Sequence, residues 1–298
     1  MGNKPEEQQY ISALSYAASI FNERMGTEFS EETLVLKCFQ TENRQEAFEQ
    51  FCKQYFPYRL TDRYMEDGYF DFHASSFIGK DKNAKDGILL RTDVEREPFE
   101  LNHILLHELS HIFCAHEELD GQDFFDTYCM DDTISREEDG AINAGYAVWR
   151  EMIAELIAFE VDDNCDVVPL RQKKSSLIQC MDSIDLHDGK LAVSTILTAV
   201  MTSAELEGTR DWDTAKAALE KLKLFDESAY MELFKIVFCQ LRTRGIEIDR
   251  DFIHEIGVLY LYILSTAELK RFNEDLMKQV GKDVQNEIQA VSLSRRSG

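Results

Sequence analysis

The stretch that limits the fold most is residues 101–119, LNHILLHELSHIFCAHEEL, which holds four of the chain's seven histidines. Within it His107, Glu108 and His111 form an HExxH pattern. The pattern carries chemistry only on an α-helix. There, positions four apart differ by about 40° in direction and about 6 Å in height, so two imidazoles can meet at one ion. Glu108 lies between them in sequence and can reach a water on that ion. Zinc bound by two imidazoles and one further protein ligand keeps a fourth position for water and lowers its pKa toward ~7. Glu108 is then the candidate general base, taking a proton during attack on a carbonyl and passing it to the leaving amine.

The other two histidines of the stretch sort on the same wheel. His103 lies about 12 Å below His111 along the axis, too far for all three to share one ion on a straight helix. His116 points about 140° away from His111, among Leu105, Leu109 and Ile112, and is expected to be a buried, hydrogen-bonded histidine. HExxH also arises by chance on core helices, so the surroundings have to decide. A third ligand should be a histidine or carboxylate on a neighbouring element. Residues 141–159, AINAGYAVWREMIAELIAF, are apolar on nearly every side and predict a buried helix, yet they carry Glu151 and Glu155 four apart. Buried carboxylates are costly unless they meet a metal, a cation or donors. The competing reading satisfies them with Arg150 and solvent.

Around these helices the chain reads as mixed α and β, then all helix. Helices are predicted over 6–25, ending at Gly26, and over 43–56. YFDFHASSFI (69–78) and GILLRTDV (87–94) predict strands separated by a turn-rich segment. Pro98 suits the first turn of the histidine helix and Gly121 its end. An acidic loop, 120–139, leads to the glutamate helix at about 140–162. Helical patterns follow at 190–206, 213–223, 227–243 and 250–290. The linker at 167–176 divides the chain into an N-terminal domain, 1–165, and a helical C-terminal domain, 166–298.

The formal charge of −24 argues against direct nucleic acid binding. Seven scattered cysteines without CxxC spacing argue against a disulfide framework or a thiolate zinc site, and for a reducing, cytoplasmic setting. The first ten residues, MGNKPEEQQY, have no basic-then-apolar signal pattern. The most apolar late run, IGVLYLYIL (256–264), has nine residues, about half a membrane span, and predicts a core helix.

The succession GILLRTDV, FELNHILLHELSHIF and REMIAELIAF resembles the core of gluzincin-type zinc metallopeptidases. It is most similar to the ImmA/IrrE-like group and the metallopeptidase domain of ArdC antirestriction proteins, over about residues 69–162. The resemblance implies an α+β zincin-like domain followed by an all-helical region. It implies that His107, His111 and Glu151 bind Zn2+, that Glu108 is the base, and that Glu155 orients a ligand histidine. The expected substrate is a protein or peptide, with an extended peptide pairing along the strand at 87–94. A transition-state donor should stand near the water. Tyr146, about 140° around its helix from Glu151, and Tyr128 in the intervening loop are the candidates. Ser110 departs from the usual glycine after HEL, and the C-terminal region has no recognised counterpart. Two other readings stand beside it: an acidic antirestriction-type or regulatory binder on a zincin scaffold, which the charge of −24 fits, and a structural metal protein in a bacterial mobile-element or regulatory complex.

Overall fold

The computed structural model describes residues 5–65, 69–70, 72–80, 84–162, 248–262 and 282. Helix α1 (Pro5–Met25) ends at Gly26, whose φ of +70° is the left-handed conformation that stops a helix without a Cβ clash. Strand β1 (Leu34–Phe39) follows, then helix α2 (Arg44–Tyr55), strand β2 (Ala74–Phe77) and strand β3 (Asp86–Arg91). The architecture among these residues is α+β, with mostly helices around one three-stranded sheet.

The sheet order is β1-β3-β2, with β1 parallel and β2 antiparallel to β3. Ser76 stands opposite Ile88 and Ala74 opposite Leu90, which fixes the hairpin register. Side chains alternate between two cores, as the pleat requires. Leu34, Ala74, Ile88 and Leu90 face α1 and the helices that follow, whereas Phe77 and Leu89 face α2 and a cluster of aromatic rings. Gly87 lies under that cluster. A Cβ there would stand 2.6 Å from the rings of Phe51 and Phe56.

Two sequence expectations change here. Strand β1 was not anticipated, because LVLKCF has apolar residues on both faces. A strand covered on both sides loses the polar-apolar alternation that marks a half-buried one. Its presence makes β3 the central strand, hydrogen-bonded on both sides. Residues 87–94 therefore have no open edge for a peptide, and that expectation is withdrawn. Among the described residues β2 pairs only with β3, so β2 is the edge nearer the histidine helix.

Helix α3 (Pro98–His116) starts with Pro98 in its first turn and a capping box between Glu97 and Glu100. It stops at Glu118, which takes the left-handed conformation at φ +58°. Gly121, expected to end α3, instead caps the N-terminus of the short helix α4 (Gln122–Phe124). One π-helical turn, Phe125–Cys129, continues from α4, so the acidic 120–139 segment is partly helical. Helix α5 (Arg136–Val161) begins four residues earlier than expected, where the Ser135 hydroxyl accepts from the Glu138 N–H.

A last described helix, α6 (250–262), starts at Asp249, whose carboxylate accepts from the Phe252 N–H. It lies in the region assigned from sequence to the C-terminal domain. Yet Phe252, Ile253, Ile256 and Tyr260 are buried in the same core as α3 and α5. The other predicted C-terminal helices and the 167–176 linker fall outside the described residues. No described helix is long and apolar enough to cross a membrane.

Two glycines let α5 and α6 touch backbone to backbone. A Cβ on Gly145 would stand 1.9 Å from the Ile253 carbonyl oxygen, and one on Gly257 1.8 Å from that of Ala141. Gly257→Ala is therefore expected to destabilise the fold by about 1–3 kcal/mol, since only backbone movement relieves the clash. Gly140 is the control: a Cβ there meets nothing within 4 Å. On α5, Gly140→Ala should be neutral or stabilise by up to about 1 kcal/mol through helix propensity. Equal melting temperatures for the two variants would show that the crossing is looser than described.

Candidate metal centre

Helices α3 and α5 run antiparallel, so residues four apart on one meet residues four apart on the other. His111 approaches Glu151, His107 lies between Glu151 and Glu155, and His103 lies between Glu155 and Asp162. The sequence shows each half of this ladder, because histidines at i, i+4 and glutamates at i, i+4 each share a face. Only packing of the two apolar faces places one row against the other.

Three ligand atoms converge at one end. His107 Nε2 and His111 Nε2 are 3.1 Å apart. Glu151 Oε2 is 3.3 Å from the first and 3.4 Å from the second. A tetrahedral zinc with ligands at ~2.0–2.1 Å has ligand-to-ligand edges of ~3.3–3.4 Å. The triangle thus has close to the size that zinc requires. His107, His111 and Glu151 form the one such group of possible ligands among the described residues.

Glu155 is placed differently. Its Oε2 is 2.7 Å from His107 Nδ1 and its Oε1 is 3.0 Å from His103 Nε2. An ionised carboxylate can only accept, so His107 carries its proton on Nδ1 and turns the Nε2 lone pair to the triangle. The side chain of Glu151 is 34 % exposed and that of Glu155 is 5 % exposed. Glu151 therefore stands at the open side of the centre and Glu155 behind it. Arg150 is exposed, and histidines rather than Arg150 satisfy Glu155.

Glu108 is buried beside the triangle, with the Ser76 side chain of the edge strand β2 close to its carboxylate. Its Oε2 is buried with no hydrogen-bond partner. Such an atom costs free energy unless something completes it. Burial raises the Glu108 pKa, and the neighbouring His107 and His111 pull it back in part. Ser110, in the place of the usual glycine, is accommodated by a bond from its hydroxyl to the Leu106 carbonyl, 2.8 Å away.

The remaining candidates lie elsewhere. His116 bonds Asp86 at 2.8 Å, as a hydrogen-bonded histidine should, but its side chain is 46 % exposed and not buried. It sits in the last turn of α3, where the core stripe has run out onto solvent. The partner carboxylate also accepts from the Gly79 N–H, tying the β2–β3 hairpin to the end of α3. Tyr146 is buried between Phe124 and Trp149 and donates to the Asp120 carbonyl at 2.8 Å, so its hydroxyl is committed away from the triangle. Tyr128 packs on Phe124. Neither tyrosine joins the centre.

Burial lowers the His103 pKa, but Glu155 and Asp162 outweigh it and lift the ring to about 9. A raised folded-state value stabilises the fold fully below the unfolded pKa of ~6.5, and that stabilisation is lost as pH rises through the folded value. The apo protein should therefore lose up to about 3 kcal/mol between pH ~6.5 and ~9 from this group. Urea midpoints across that range check this, and His103→Gln should flatten the dependence. Parallel curves for the two proteins would refute it.

Comparison of the chain with models of known families, with characterised proteins and with solved structures finds no match.

Proposed function

We propose that the chain is a zinc-dependent metallopeptidase that hydrolyses a peptide bond of a protein or peptide substrate. The observation that carries this reading is the triangle of His107, His111 and Glu151 beside a buried Glu108 oxygen that has no partner. Three ligands of these types leave a fourth position, the pattern of catalytic rather than structural zinc sites. Zinc held there supplies a Lewis acid that polarises a carbonyl and makes water acidic enough to attack near neutral pH.

The rest falls to the chain's own groups. Glu108 Oε2 accepts the proton of the attacking water, and its raised pKa suits it to return that proton to the leaving nitrogen. The Ser76 hydroxyl near the Glu108 carboxylate favours its charged form. Glu155 fixes the His107 ring by accepting its Nδ1–H. Strand β2, with its second edge unpaired among the described residues, can take an extended substrate chain in the role first given to 87–94. The binder reading rests on the charge of −24 alone and uses none of this geometry.

The test is direct. The purified full chain should carry about one zinc and cut members of an unstructured peptide pool, with cleavage abolished by a chelator and restored by zinc. Cleavage that persists in full after the metal is stripped would overturn the proposal.

A further inference from the structure

We infer that His103 and Asp162 are positioning residues for the metal centre, acting on His107 through Glu155. The inference rests on the metal site proposed above. It extends that site by two residues that neither bind the ion nor touch its ligands.

Four groups form a continuous chain from the end of α5 to the triangle. Asp162 Oδ2 is 3.0 Å from His103 Nδ1, and His103 Nε2 is 3.0 Å from Glu155 Oε1. Glu155 Oε2 is 2.7 Å from His107 Nδ1. Both carboxylates are almost fully buried, with side chains 4 % and 5 % exposed. Both His103 nitrogens thus face acceptor-only groups, and the ring satisfies both only as an imidazolium with a proton on each nitrogen. It lies beside the last turn of α5, where the helix dipole also favours a cation.

The consequence for the metal is positional. His103 holds one oxygen of Glu155 while the other holds His107, so the carboxylate is fixed at both ends. If His103 is removed, Glu155 Oε1 loses its donor and the carboxylate is free to turn. A Glu155 anchored at one oxygen only fixes less firmly the His107 ring that turns Nε2 to the ion. His103 and Asp162 therefore support metal affinity from beyond the reach of the metal.

A purely structural role, stapling α3 to α5, would lower stability and leave zinc affinity unchanged. The deciding readout is thus zinc affinity of the full chain, measured by competition with a chromophoric chelator, together with the visible spectrum of the cobalt-substituted protein. His103→Gln should weaken zinc binding by about 10-fold and shift the cobalt bands, and Asp162→Asn should act in the same direction. In a Glu155→Gln background, His103→Gln should change affinity by less than about twofold, because the path through Glu155 is already cut. Should His103→Gln not fold, Asp162→Asn decides by the same readouts. Wild-type affinity and an unshifted cobalt spectrum in folded variants would overturn the inference while leaving the three-ligand site standing. A wild-type protein that takes up no zinc would overturn the site itself, and this tier with it.

Discussion

Glu151→Ala is expected to come out of purification without zinc, whereas Glu155→Ala should keep the site and bind zinc about 10–100-fold more weakly. The two carboxylates sit one turn apart on α5, and the structure separates what they touch. Glu151 Oε2 lies within 3.3 and 3.4 Å of both histidine Nε2 atoms. Of those two histidines Glu155 reaches only His107, at its far nitrogen. Their exposures make the comparison interpretable. At 34 % exposure, Glu151 can be shortened without opening a cavity, so apo Glu151→Ala should melt within a few degrees of apo wild type. Metal loss could then not be ascribed to unfolding. Glu155→Ala leaves buried donors of His103 and His107 unmatched and should cost about 1–3 kcal/mol of stability. If Glu155→Ala is the variant that comes out metal-free and Glu151→Ala still holds zinc, the two roles are reversed.

Glu108→Gln should lower peptide hydrolysis by about 10²–10⁴-fold while zinc stays near one per chain. Glutamine fills the same volume, so the β2–α3 packing survives. The amide cannot take up a proton and return it. Elemental analysis beside a turnover assay gives both halves of the result. A variant that cleaves at the wild-type rate would remove Glu108 from the mechanism. One that loses its zinc would make it a ligand.

The site was more legible in the sequence than the sheet that supports it. His107, Glu108, His111 and the Glu151–Glu155 pair could be read because helical spacing is local, so one segment carries its own geometry. Choosing between the two glutamates was not local. It depends on how α5 slides along α3, and from the sequence that choice rested on resemblance. His103 was set apart from the other two histidines by axial distance, and it lies outside the His107, His111 and Glu151 group. Its place between Glu155 and Asp162 could not be seen without the antiparallel pairing. The sheet fared worse for the same reason. β1 has no alternation to announce it, and its pairing with β3 closes over a long separation along the chain. Missing it made β3 look like an edge. Tyr146 looked available because the wheel gave its angle to Glu151 but not the Asp120 carbonyl that takes its hydroxyl.

The central claim is that one ion is held by two imidazole nitrogens and one carboxylate oxygen, with room for water. X-ray absorption at the zinc edge of the loaded full chain tests it most directly. The account predicts four nitrogen or oxygen neighbours at ~2.0–2.1 Å with outer-shell scattering from two imidazole rings. The His111→Ala variant should lose that signal together with its zinc. Sulfur neighbours at ~2.3 Å, or a shell with no imidazole scattering, would contradict it.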